Sequence, residues 1–235
     1  MSKLPLIIFL LVLPVRALLA QSSFPDLVGA AFGTRQDLVN GIQFANQYST
    51  VDGHPYFLDG QFHSGSILMT HEVYENQRIR YNLYTQRLEV EYITSSGNLN
   101  QFISVPELIP SFTLGSRTFV RMWPGDEPAA YFQVISSGTT AFYIGWTKIK
   151  KLSRSDSSRE YTFSPPLRKY WMRRGQKLSS FHNKKSFMAL FPEAVQKDVS
   201  RMLKQRKFSF RQATLTEVEQ MIEAALLIHE RQRYP

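Results

Sequence analysis

The sequence predicts an α+β fold: an antiparallel, twisted sheet or partly open barrel, followed by two C-terminal helices. Three observations carry this. From Gln61 to Val105, short segments rich in Ile, Val, Tyr and Phe alternate with polar breaks. Several of these segments alternate apolar and polar residues with period two, as strands do when one face meets water. From Pro192 onward the apolar positions recur at helical spacing instead.

The chain begins with Lys3, an apolar run from Leu4 to Val15, and Ala17-Leu18-Leu19-Ala20. A basic start, an apolar stretch and an alanine-bearing end, with Ala20 at the −1 position, resemble a secretory signal peptide cut before Gln21. The competing reading is a retained membrane anchor. Pro14 and Arg16 interrupt the run, which is well short of the ~20 residues that span a bilayer. Cleavage is therefore expected, leaving no transmembrane span. The chain has no cysteine, which excludes a lipoprotein thioether, disulfides and thiolate metal sites. The expected organisation is a signal peptide over 1–20, an antiparallel β domain over 21–186 and a helical segment over 187–235. The expected location is the periplasm or the exterior.

After a lead-in at Phe24-Pro25-Asp26-Leu27, residues Leu38, Ile42, Phe44 and Tyr48 suit a short helix or strand. Asp52-Gly53-His54-Pro55 and Asp59-Gly60 read as turns. Ser66–Val73, Arg78–Leu83, Arg87–Ile93 and Gln101–Val105 read as four strands. Their breaks fall at Tyr74–Gln77, Tyr84–Gln86 and Ser95–Asn100. Such short breaks imply an antiparallel meander. Glu89 and Glu91 fall opposite Leu88, Val90 and Tyr92, on the expected solvent face. Ser111–Trp123 reads as strands around Gly115-Ser116, and Tyr131–Ile135 pairs with Ala141–Ile149 across Ser136–Thr139. Ser153–Glu160 is an expected loop. Tyr161–Phe163, Lys169–Met172 and Leu178–Phe181 are further strands, interrupted by Pro165-Pro166 and Arg174-Gly175.

Pro192 suits a helix start. Val195, Val199, Met202 and Leu203 share one face of the first helix. Thr214-x-x-Glu217 is a capping-box pattern for the second. Val218, Met221, Ile222, Ala225 and Leu226 form its apolar stripe, ending near His229.

Charge divides the chain. Residues 21–147 hold 6 basic and 11 acidic side chains, whereas residues 148–235 hold 20 basic and 8 acidic. The cationic part suits an anionic surface or an envelope protein as partner. Equally, it suits solvated helix faces packed beside an acidic half. A nucleic-acid partner does not fit a chain that leaves the cytosol.

Several stretches resemble a group of uncharacterised exported proteins from Bacteroidota. They are Gly65-Ser66-Ile67, Ile79-Arg80-Tyr81-Asn82-Leu83, Leu88-Glu89-Val90, Leu190-Phe191-Pro192-Glu193 and Lys207-Phe208-Ser209-Phe210. Related sequences often carry Tyr-Asp where this chain has Tyr81-Asn82. The resemblance implies compartment and architecture, and no catalytic activity.

Templates for chemistry are few. There is no G-x-S-x-G elbow, phosphate-cradling P-loop or G-x-G-x-x-G helix start, and no catalytic residue or cofactor is assigned. Asp52, His54, Asp59, His63, His71 and Glu72 cluster in sequence, with His63 and His71 as the metal-ligand candidates. On one extended strand those two histidines would stand roughly 26 Å apart, too far to share an ion. Arg168, Tyr170, Trp171, Arg173 and Arg174 form a basic-aromatic stretch that could stack on a sugar or dock at an anionic surface. The alternative is a strand that turns Tyr170 and Met172, or Trp171, into the core. The favoured function is an exported, non-catalytic interaction or accessory module. A binder of a small apolar or glycan ligand in a curved sheet and an unrecognised hydrolase are the other readings.

Overall fold

The computed structural model describes residues 42–43, 45, 47–69, 71–93, 97–125, 127–153 and 160–233. The leader, the lead-in at Phe24–Leu27, Leu38, Phe44 and most of the Ser153–Glu160 loop lie outside the described residues.

Strands β1 (Ile42–Gln43) and β2 (Val51–Asp52) are short. β3 (His63–Met69) and β4 (Glu72–Asn82) form the first long hairpin. This corrects two sequence expectations. The turn falls around His71, inside the expected strand Ser66–Val73, and the expected break at Tyr74–Gln77 is part of β4. The polar run there marks a bulge. Gly65 pairs with Gln77 and Ile67 with Tyr74, so Glu75 and Asn76 together oppose Ser66. Asn76 takes φ 55°, a left-handed conformation that asparagine tolerates better than most residues.

β5 (Arg87–Ile93) and β6 (Leu99–Ile103) continue the meander. A 3-10 turn at Pro106–Leu108 precedes β7 (Ser111–Leu114), which pairs back with β3. β8 (Arg117–Met122), β9 (Ala130–Ser137) and β10 (Thr140–Thr147) follow antiparallel. The chain then leaves the large sheet. β11 (Lys150–Leu152) and β12 (Tyr161–Phe163) join β2 in a three-stranded sheet whose β12–β2 pair is parallel. β13 (Leu167–Arg174) returns beside β10, and β14 (Lys177–Phe181) is the last strand. The eleven-stranded order β1-β6-β5-β4-β3-β7-β8-β9-β10-β13-β14 is linear, so the twisted sheet does not close into a barrel.

The alternation seen in the sequence fills one face of this sheet. Ile79 pairs with Val90, Tyr81 with Leu88, and Val90 with Phe102, and all five are buried. Helix α1 (Lys184–Met188) is capped by Asn183. α2 (Glu193–Gln205) buries Val195, Val199 and Leu203. α3 (Leu215–Arg233) buries Val218, Met221, Ile222, Ala225 and Leu226, the expected stripe. Each of these buried side chains larger than alanine contributes roughly 1.5–3 kcal/mol of transfer free energy. The helices share one core with Phe142, Ile144, Tyr170, Met172 and Phe181.

A polar contact fixes the docking of α3. Arg117 grips the Glu219 carboxylate through Nε at 2.6 Å and Nη2 at 3.0 Å. Gln133 donates to the same carboxylate and accepts from Trp146 Nε1 at 3.1 Å. Each buried polar atom in this relay thus has a partner, which is the condition for burial without a large penalty.

The opposite face of β10 and β13 is covered as well. Phe132, Ala141, Tyr143 and Trp171 form a second cluster there. Gly145 makes room for it, since a Cβ would lie 2.7 Å from Phe132 Cε1 and 3.2 Å from Trp171 Cζ3. Tyr170, Trp171 and Met172 are therefore all buried, on two different faces.

Candidate functional site

The basic-aromatic stretch lies on β13, where alternation sends its side chains to both faces of the sheet. On the helix face, Arg168 Nη1 donates to the Ala213 carbonyl at 2.7 Å, and Tyr170 packs between Phe181 and Phe210. Arg174 Nη2 donates to the Leu190 carbonyl at 3.0 Å. On the other face, Trp171 meets Phe132 edge-on, and the Arg173 guanidinium lies 5.2 Å from the Tyr143 ring centroid. The five residues do not make one patch. Arg168, Tyr170 and Trp171 line one cleft, while Arg174 lines a separate depression beside Pro192 and Val195.

The histidine candidates also separate. His63 opens β3, and His71 sits in the turn at the other end of that strand. His63 Nε2 instead meets Asp59 Oδ1 at 2.7 Å on the surface. Among the described residues no group of three His, Cys, Asp or Glu side chains could hold a metal ion. His54 lies nearer the sheet, and its Nδ1 accepts from the Tyr56 amide at 3.2 Å. Burial, and then the Lys148 ammonium, hold its imidazole below the ordinary histidine range.

Glu89 overturns the expected solvent face. It is only 2 % exposed. Arg80 Nε donates to its Oε2 at 2.6 Å and Asn82 Nδ2 to its Oε1 at 3.3 Å. The Arg80 guanidinium lies 4.0 Å from the Tyr56 ring centroid and 4.4 Å from that of Phe62. The segment before β3 folds over this face, which a strand pattern alone does not reveal. Asn82 also accepts from the amides of Tyr84 and Thr85, closing the turn into β5. An aspartate here would set a second carboxylate against Glu89; the amide supplies a donor.

The cleft lined by Arg168, Tyr170 and Trp171 holds about 790 Å³. It forms because β14 ends at Phe181, opposite Tyr170, while β13 runs on through Leu167–Lys169. Lys169, Ser180, His182, Glu127 and Arg211 complete its polar lining. Lys169 Nζ pairs with Glu127 Oε2 at 2.7 Å. The Tyr170 hydroxyl is buried and has no hydrogen-bond partner among the described residues. Burial raises its pKa, so it stays protonated at neutral pH.

The connector between α2 and α3 forms one wall. It is held by Phe210, which packs on Tyr170, Phe181, Phe187 and Phe208. α2 ends as Phe208 N donates to the Leu203 carbonyl, with Lys207 at φ 48°. That position ordinarily takes glycine, because a Cβ is strained there. The other end is the expected capping box. The Thr214 amide donates to Glu217 Oε2 at 2.7 Å, and the Glu217 amide to Thr214 Oγ1 at 3.3 Å. Lys204 in the last turn of α2, and Arg206, Lys207 and Arg211 in the connector, are all exposed. A second cleft of about 510 Å³ flanks it, lined by Arg206, Lys207 and Phe208 among others. Lys207→Gly should stabilise the fold by about 0.5–1 kcal/mol, read from urea midpoints. A loss of stability would show that the lysine side chain has a structural contact.

The sequence pointed to β13 but not to Glu127, His182, Phe210 or Arg211. The alternation Phe208, Phe210 between cations was the available signal for an anchored turn. Comparison with known protein families, curated proteins and solved structures finds no match to this chain.

Proposed function

We propose that this chain is an exported interaction module that engages an anionic envelope partner through the cationic end of its helical segment. The leader of the sequence supports export. The observation that carries the binding face is the α2–α3 connector. Four exposed cations, Lys204 in the last turn of α2 and Arg206, Lys207 and Arg211 in the connector, surround a turn anchored by buried Phe210 and flanked by a cleft on each side. Ordered anchoring lets these charges act together rather than as independent flexible side chains.

The test is capture of partners by the mature chain from envelope extracts at low and high salt. An envelope component should be retained at low ionic strength and released at high, because exposed charges are screened within about a Debye length. The variant Lys204→Gln/Arg206→Gln/Lys207→Gln should lose that retention. Retention that is indifferent to both salt and these substitutions refutes the reading.

A further inference from the structure

We propose that the cleft beyond the end of β14 is a slot for an acidic, extended segment of a partner protein, which adds to the open edge of β13 as one further strand. This deepens the anionic-partner reading and rests on it for the nature of the partner.

The first argument is the open edge. Arg174 and Lys177 pair across a two-residue turn in which Gly175 takes φ 58°. Such a closing pair exchanges backbone hydrogen bonds, and along a strand the backbone groups alternate in direction. Met172, Tyr170 and Arg168 therefore turn their amides and carbonyls towards β14, while Lys169 turns its own towards Gly145 of β10. β14 ends at Phe181, opposite Tyr170. Asn183, the residue that would next face Arg168, is used as the cap of α1 instead. Its amide donates to Ser186 Oγ at 3.1 Å and its carbonyl accepts from the Phe187 amide at 2.9 Å. The Arg168 amide and carbonyl are thus left without a hydrogen-bond partner among the described residues. Open backbone groups at a sheet edge are what an added strand pairs with.

The second argument is shape. The cleft has a wall on each side of the sheet. Phe210 and Arg211 stand on the helix side, where Phe210 packs on Tyr170. Pro124 and Glu127 stand on the other, where Glu127 meets Lys169. The edge from Pro166 to Lys169 is the floor, and Ser180 to His182 close one end. A slot that straddles a strand edge fits a strand, whose side chains leave by alternate faces. Four residues of edge span roughly 13 Å, so a six-residue peptide covers it.

The third argument is charge. Arg168, Lys169 and Arg211 line the slot against Glu127. Lys169 leaves β13 on the opposite face from Arg168, so these cations do not meet at one point. They flank the slot from two sides, and a strand within it presents successive side chains to Lys169 and to Arg211. Two adjacent acidic residues answer the two walls separately. Glu127 Oε2, 2.7 Å from Lys169 Nζ, shows that the outer wall accepts a carboxylate. β14 of a second copy carries Lys177 and no acidic residue, so charge disfavours self-pairing here.

The probe is the peptide acetyl-Ser-Thr-Glu-Glu-Thr-Ser-amide, added to the mature chain. By NMR, hydrogen exchange of the Arg168 amide should slow at least ten-fold on binding, whereas the Lys169 amide should be slow with and without peptide. Arg168 exchange that is already slow in the free chain, or is unaltered at saturation, overturns the inference. By fluorescence anisotropy, replacing both glutamates of the peptide with lysine should abolish binding. N-methylation of the peptide, scanned along its six positions, should weaken binding about ten-fold where the donor to the Arg168 carbonyl is lost. Indifference to N-methylation at every position would show charge attraction without strand pairing, and would overturn the inference.

Lys169→Gln and Arg211→Ser are substitutions at exposed positions. Each should weaken binding about five-fold with an unchanged thermal midpoint, and Glu127→Gln should tighten it. Unaltered affinity in both cation variants would overturn the assignment of the two walls. Arg168 is left intact because its side chain holds the Ala213 carbonyl. Co-sedimentation with vesicles containing phosphatidylglycerol, without peptide binding, would refute this inference and leave the broader reading standing. Peptide binding that protects Arg168, without salt-sensitive capture from envelope extracts, would refute the envelope reading alone.

Discussion

Replacing Gly65 with alanine is expected to abolish the fold or to destabilise it by more than ~4 kcal/mol, beyond the range of ordinary single substitutions. An added Cβ would lie 2.1 Å from the Thr113 carbonyl oxygen and 2.9 Å from Ile79 Cδ1. The first of these is backbone and cannot swing aside. Gly65 is not at positive φ, so the constraint is close approach and not conformational freedom. The position matters because β3 and β7 join the two halves of the eleven-stranded sheet. That seam has few ladder pairs, Ile67 with Phe112 and Leu68 with Ser111. Side chains extend it, as the Ser66 amide donates to Thr113 Oγ1 at 2.9 Å and the Gly115 amide to the Ser64 carbonyl at 3.1 Å. Forcing Thr113 away would break these bonds together. Thermal unfolding should show a midpoint lowered by about 10 °C or more, if any cooperative transition survives. A midpoint within about 2 °C of the parent would refute the argument.

Glu89→Ala should be nearly as damaging, at about 3–5 kcal/mol. It removes the counter-ion of Arg80, whose side chain is 15 % exposed and whose guanidinium lies between two rings. A buried charge without its partner is the costly state, more than the pair itself is favourable. Arg80→Met/Glu89→Leu should therefore recover most of the lost stability, since neither charge is then stranded. The pair also holds the segment before β3 on the sheet through Tyr56 and Phe62. Limited proteolysis of Glu89→Ala should accordingly cut first within residues 53–62. Denaturant unfolding of the single and double variants measures the coupling. A loss of under about 1 kcal/mol in Glu89→Ala would show that the segment is held by other contacts.

The candidate site was partly legible. Arg168, Tyr170 and Trp171 do line a cleft, but Arg173 and Arg174 go elsewhere. A strand turns neighbours in sequence to opposite faces, so a five-residue composition cannot specify one surface. The wall opposite comes from Phe210 and Arg211, about forty residues later, and the carboxylate paired with Lys169 from Glu127, about forty earlier. Glu89 shows the same limit. Its alternation correctly put it opposite Leu88 and Val90. What that face meets depends on a chain segment some thirty residues upstream.

By itself the sequence determined the type of most long elements, because period-two and helical spacing reflect which side chains a local backbone can bury together; the turn at His71 and the short helix Lys184–Met188 it did not. It also determined the capping box at Thr214 and Glu217, whose bonds span three residues. The tertiary structure alone decided the pairing of β3 with β7, the second buried face around Trp171 and the cleft beyond β14. Each of these joins segments distant along the chain. Many pairings bury similar apolar area, and close fits such as Gly65 against Thr113 select among them only when the whole sheet is assembled.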